Sequence, residues 1–145
     1  MLMNIKMSLV GIPAFVVLAI TSFSAAAGTD MEEALNNGAQ QLTADEIAER
    51  VAGKTVTYIL PDEREVLVHY GAENAASGRM VGGDWSDTGY YGITNGDRIC
   101  ISWSKSDEGR LRCFSVLVVN DVVKKFHPDG SFAMEAVKFE DGNTL

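Results

Sequence analysis

The sequence predicts a mainly β fold, with one short helix followed by about eight antiparallel strands that wrap into a small barrel or a strongly curved meander sheet. Three observations carry that expectation. From residue 54 onward, apolar and polar residues alternate with a period of two instead of helical spacing. The same stretch is punctuated by turn formers at Pro61-Asp62-Glu63, Asn95-Gly96, Asn120-Asp121 and Pro128-Asp129-Gly130, at intervals that suit a meander. The only two cysteines, Cys100 and Cys113, fall where a single hairpin sets them opposite each other.

Residues 1–27 read as an export signal. Lys6 marks a short basic start, Leu9 to Ile20 form an apolar run, and Ala25-Ala26-Ala27 supply a small-residue cleavage site ahead of Gly28. The run is shorter than the roughly 20 residues a spanning helix needs. It also contains Gly11 and Pro13, and no cysteine lies nearby to take a lipid. The expected product is therefore soluble and periplasmic or secreted. Residues 28–41, with Asn36-Asn37-Gly38 and Gln40-Gln41, hold no sustained apolar period and read as a flexible leader, which leaves residues 42–145 as a single β-rich domain.

Thr43 and Glu46 have the spacing of a capping box, in which the hydroxyl and the carboxylate each satisfy a backbone N–H of the first turn. Ile47 and Val51 give the ensuing helix one apolar stripe, and Gly53 ends it in the left-handed region. Lys54 to Leu60 and Arg64 to Tyr70 are β-branched runs. Gly71 to Ser77 is small and polar, a loop, and Gly78 to Trp85 is a weaker strand with a bulge at Gly82-Gly83.

Asn95-Gly96 is the dipeptide preferred by a type I′ hairpin, which would set Ile93 opposite Arg98 and Tyr91 opposite Cys100. The loop at Ser106-Asp107-Glu108-Gly109 closes Ile99 to Ser104 onto Leu111 to Val119, with Cys100 opposite Cys113. Asn120-Asp121 then leads into Val122 to Phe126, and Pro128-Asp129-Gly130 into Ser131 to Phe139. One face carries Ile99, Ile101, Trp103, Phe114, Val116 and Val118 as the core, with the cysteines on the other. The face taken by Phe126, Phe132 and Met134 depends on the last loop, because a one-residue slip exchanges the two faces. The helix is expected to cover an open end or edge of the sheet.

The formal charge is -8; loss of residues 1–27 removes Lys6 and no acid, taking it to -9. Such a surface repels phosphate backbones, so neither nucleic acid nor anionic lipid is an expected partner. The cysteine pair reads as a structural staple in an oxidising compartment, ahead of a redox or metal pair. With both thiols bridged no thiolate nucleophile remains, and no HExxH, GxSxG or phosphate-loop pattern occurs. His69 lies on a strand and His127 at a turn; a base at either position would need a neighbouring hydroxyl, such as Ser77 or Ser102, or a carboxylate. Asp84 with Asp87, Asp107 with Glu108, and Glu140 with Asp141 lack calcium-loop spacing and read as solvated turn carboxylates, so neither metal nor cofactor is expected.

Tyr58, Tyr70, Trp85, Tyr90, Tyr91, Trp103 and Phe114 are numerous enough to line a barrel cavity. In so small a barrel, though, side chains ordinarily fill the interior, so these rings read first as core. Tyr90 and Tyr91 must point to opposite sides of their strand, so that one is exposed. Trp85, Tyr90 and Tyr91 are accordingly the candidate binding surface.

The order Leu42-Thr43-Ala44-Asp45-Glu46-Ile47, Gly53-Lys54-Thr55-Val56, Gly83-Asp84-Trp85, Asp87-Thr88-Gly89-Tyr90, Cys100 with Trp103, Cys113-Phe114, Asp129-Gly130 and Gly142-Asn143 resembles a group of small exported bacterial proteins, chiefly alphaproteobacterial, classed as a domain of unknown function. The resemblance spans residues 42–145 and departs from the family's pattern at Gly71 to Ser77. It implies export, paired cysteines and a β-rich fold, and it brings no catalytic residues with it. The expected function is a non-catalytic envelope module that binds a protein or small ligand, with inhibition of a hydrolase as one form. The alternative is a small hydrolase-type enzyme using His69 or His127 with carboxylates.

Overall fold

The computed structural model describes residues 27–145; the export signal expected over residues 1–27 lies, but for its last residue, outside them. Two helices, α1 (Asp30–Asn36) and α2 (Ala44–Val51), accompany nine strands. These are β1 (Gln40–Gln41), β2 (Lys54–Ile59), β3 (Glu65–Tyr70), β4 (Ala75–Met80), β5 (Ser86–Thr94), β6 (Arg98–Trp103), β7 (Arg112–Val119), β8 (Val122–Phe126) and β9 (Phe132–Asp141). From β2 to β9 each strand pairs antiparallel with its successor, and β9 returns to pair with β2. The result is a closed, eight-stranded up-and-down barrel, which removes every long sheet edge.

The ninth strand, β1, occupies a place the barrel vacates. β6 pairs with β7 only from Arg112 to Ser115, and beyond that point Gln40 and Gln41 take the freed edge opposite Val118 and Leu117. The expectation of a flexible leader over residues 28–41 left no room for β1 or for α1. Helix α1 buries none of its residues, so it has no apolar period to read. It is held by polar contacts instead: Thr29 and Glu32 form a capping box, Met31 N–H donates to the Gly130 carbonyl at 2.9 Å, and Asp30 Oδ2 accepts from Phe132 N–H at 2.7 Å.

Helix α2 closes one end of the barrel. Thr43 and Glu46 form its capping box, Ile47 and Val51 are buried, and Gly53 follows at φ +72°. Together with Leu42 these residues pack onto Val56, Ile99, Val116 and Val123, which fill this half of the barrel.

Three local expectations are corrected. Asn95-Gly96 does not form a type I′ turn: Thr94 pairs with Arg98, Ile93 with Ile99 and Tyr91 with Ile101, and Asp97 takes the left-handed conformation at φ 57°. This is a three-residue loop, and Asp97 Oδ1 uses it to accept from Ala44 N–H at 2.7 Å, fixing the start of α2. The true I′ geometry lies at Asn120-Asp121, where both φ angles are positive and Val119 pairs with Val122. The expected loop Gly71 to Ser77 gives up its last residues to β4, and the chain turns where a bulge was expected, with Met80 N–H donating to the Trp85 carbonyl around Gly82.

Cys100 does pair with Cys113 in register, and the two are bonded. Ile99, Ile101, Trp103, Phe114, Val116 and Val118 face inward as expected, with the disulfide on the outer side. Phe126 stacks edge-on against Phe132, whereas Met134 turns into the barrel.

Candidate ligand-binding cavity

The half of the barrel away from α2 is not filled. A cavity of about 360 Å³ opens at the end where β2 meets β3, β4 meets β5 and β6 meets β7. Alternation along the strands supplies its wall: Leu60 after β2, Val66 and Val68 from β3, Met80 from β4, Ile101 and Trp103 from β6, Phe114 from β7 and Met134 from β9. The space is many times the roughly 10–15 Å³ that holds one water, far beyond an ordinary packing defect. The expectation that side chains fill so small a barrel therefore holds only for the α2 half.

The opening is ringed by Trp85, Trp103, Asp107, Arg112 and His127. Trp85 meets Trp103 edge-to-face at 5.3 Å and donates from Nε1 to Ser106 Oγ at 2.9 Å. Gly78 makes this arrangement possible, since a Cβ there would come within 2.9 Å of Trp103 and 3.1 Å of Trp85. Asp87 anchors the rim from below. It is buried, not the solvated turn carboxylate expected, and it accepts from the backbone N–H groups of Thr88, Lys105 and Ser106 and from Ser106 Oγ. Burial alone would raise its pKa, but these hydrogen bonds outweigh that and hold the carboxyl below its ordinary range. Arg112 and Asp107 form an ion pair of 2.7 Å on the rim, half exposed.

The floor is polar. Lys125 on β8 points inward at 5% exposure, and its Nζ donates to Tyr70 Oη at 2.8 Å. The Tyr70 hydroxyl lies 2.8 Å from that of Tyr58, and Lys125 Nζ sits 4.2 Å from the centre of the Tyr58 ring and 5.6 Å from that of Phe114. No carboxylate pairs with this amine among the described residues. Desolvation pulls Lys125 down to about 7 and pushes both tyrosine hydroxyls well above their usual range.

Sequence reasoning missed Lys125, although a signal for it exists. A two-residue turn at Asn120-Asp121 pairs Val119 with Val122, and so Val116 with Lys125, which places a lysine on the same face as a core valine.

The three residues of the candidate surface are dispersed. Trp85 stands on the cavity rim; Tyr91 faces inward elsewhere, edge-on to Tyr70 at 5.0 Å; Tyr90 is on the outside at 68% exposure. The two histidines are also far apart in role. His127 lines the cavity with its ring 5.3 Å from that of Phe114. His69 lies on the outer face, its Nδ1 3.4 Å from Thr55 Oγ1, whose own proton goes to the Gly142 carbonyl. No hydrogen bond joins either imidazole to a carboxylate, and no group of three or more His, Cys, Asp or Glu side chains gathers among the described residues. Comparison with protein-family models, with curated proteins and with solved structures finds no match.

Proposed function

We propose that the protein is an exported, non-catalytic binding module whose barrel takes up a small, largely apolar molecule through its open end. The observation that carries this reading is the cavity itself: about 360 Å³ of apolar space, open on one side and floored by convergent polar groups. Ligand sites have this composition, with a hydrophobic wall supplying affinity and a few placed polar atoms supplying orientation. The disulfide supports a periplasmic or secreted location, where such bonds persist. The acidic surface disfavours nucleic acid as a partner.

The test is titration with N-phenyl-1-naphthylamine, a neutral apolar dye that brightens when it leaves water. Saturable one-to-one brightening is expected. Met134→Trp, which narrows the cavity, should weaken it markedly, whereas Tyr90→Ala on the outer face should leave it intact. Binding undiminished by Met134→Trp, or lost with Tyr90→Ala, would place recognition outside the barrel and overturn the proposal.

A further inference from the structure

Lys125, Tyr58 and Tyr70 form a chain of three polar groups at the bottom of an apolar shaft, and what matters there is the balance of donors and acceptors. A charged amine has three N–H donors and each phenol has one. Within the chain, Nζ donates once to Tyr70 Oη and one proton lies between the two hydroxyls. Either hydroxyl can be the donor of that bond, so one of the two phenol protons finds no acceptor among the described residues. The two further N–H donors of Lys125 meet only ring faces, with Nζ 4.2 Å from the centre of Tyr58 and 5.6 Å from that of Phe114. A neutral amine reverses the bonds and lowers the surplus from three donors to two, because it still holds two N–H groups and no other acceptor is within reach. Every member has at least one partner, so the network is stable as it stands, but it is rich in donors and short of acceptors.

We infer that the molecule taken into the cavity carries a carboxylate, which it lowers head first onto Lys125 and the free proton of the Tyr58–Tyr70 hydroxyl pair while its apolar remainder extends past Met134 toward Trp85 and Trp103. This rests on the cavity reading above and names the chemistry of its ligand. A carboxylate is acceptor-only when ionised and offers about four lone-pair sites, which matches the donors left over. It also supplies the missing counter-charge to a buried amine, the circumstance in which a buried charge is tolerated. An alcohol absorbs only part of the donor surplus and brings no charge. A cationic head meets a like charge.

Of the cations on the surrounding elements, Arg112 at the rim is already paired with Asp107, whereas Lys125 at the floor has no carboxylate partner among the described residues. Arg112 of β7 and His127 at the end of β8 stand above the floor, with Asp107 engaged by Arg112 on the rim. Arg50 of α2 borders the small void on the far side of Lys125. From β2 and β3 only the two phenols face the amine, and β9 contributes Met134 and Ala136, which are apolar. Pairing with a carboxylate favours the charged amine, so the ligand should bind together with a proton once the solution is more alkaline than the free amine's midpoint of about 7.

The chain's two tryptophans both line the cavity, so their fluorescence reports occupancy directly. Decanoic acid and decanol, titrated below their aggregation limits at about pH 6, should bind with the acid preferred by about tenfold or more, the worth of hydrogen bonds to a charged group. The preference should fall toward one at about pH 9. It should also disappear in Lys125→Met, whose folded state is checked by melting. Orientation has its own readout: ω-bromodecanoic acid, with the heavy atom at its tail, should quench the tryptophans more than α-bromodecanoic acid. Equal binding of acid and alcohol at both pH values, or stronger quenching by the α-bromo acid, overturns the carboxylate inference while leaving the cavity reading in place. If neither decanoic acid nor decanol alters the fluorescence and the dye also fails to bind, both readings fall together; if the dye binds and these two do not, the carboxylate inference alone falls.

Discussion

Lys125 and Asp87 are both buried charged side chains, and they are accommodated in opposite ways. Asp87 has four donors around it and loses its stabilising role only when protonated. Its folded pKa is depressed, so its contribution is complete above the ordinary carboxylate range and disappears as pH falls through the folded value. Asp87→Asn should lower the melting temperature at neutral pH and narrow the gap between variant and wild type in acid, read by calorimetry. Lys125 has one donor bond and no counter-ion. Its folded value of about 7 lies below the usual value of about 10.4, so between the two the unfolded chain holds the extra proton and stability climbs with pH. The slope is at most about 1.4 kcal/mol per unit, and ionising tyrosines in the unfolded chain oppose it near about pH 10. Urea midpoints from about pH 7 to about pH 9 should rise in the wild type and stay level in Lys125→Met, which should also be the more stable protein at pH 7. A wild-type profile as flat as the variant's would mean that the amine keeps its charge in the fold. Of these two residues, Lys125 was legible from strand register, whereas Asp87 was not. Nothing local distinguishes it from Asp84, because three of its four donors come from Lys105 and Ser106, across the rim.

Among the elements, α2 and the β6–β7 hairpin carry the clearest energetic weight. Ile47 is 1% exposed at the centre of the plugged end, and Ile47→Ala should cost roughly 2–5 kcal/mol in chemical denaturation. Cys113→Ser opens a link across 13 residues of sequence and should cost about 3 kcal/mol, with both thiols of reduced protein and neither of oxidised protein open to alkylation. The capping box of α2 and the cysteine register could be read because each is set by residues close in sequence. The turn at Asn95-Gly96 could not, since its preferred I′ form yields to a longer loop that delivers Asp97 to the Ala44 N–H, a contact 53 residues away in sequence. Helix α1 carries the same signature as α2, with Thr29 and Glu32 in place of Thr43 and Glu46, but without an apolar stripe the signature reads as leader. Its docking depends on backbone partners at Gly130 and Phe132 that no periodicity announces.

At the scale of the whole molecule, the barrel is a solid half joined to a hollow half. Strand alternation predicted which side chains face inward, but it does not say whether the space between them is filled; that depends on barrel diameter and on where Gly78, Gly89 and the two tryptophans let strands approach. Gly89 is one such point, as a Cβ there would collide with the Ser102 carbonyl. The asymmetry should appear in amide exchange, with the β7 amides near Val116 and Leu117, in the filled half, exchanging far more slowly than those of the rim around Val81 to Trp85 and Ser104 to Leu111. Uniform protection along the barrel would contradict it. The pairing of β9 with β2 has a further consequence, in time more than in space. The strand that seals the cylinder is the last of the barrel's strands to be synthesised, and its partner is the first of them to emerge. A nascent chain therefore cannot complete the cylinder, or enclose any guest, before Phe132–Asp141 is free to reach back across the sequence. A polypeptide wired this way acquires its interior only after the last of the barrel's strands has been made, whatever the order in which its hairpins form.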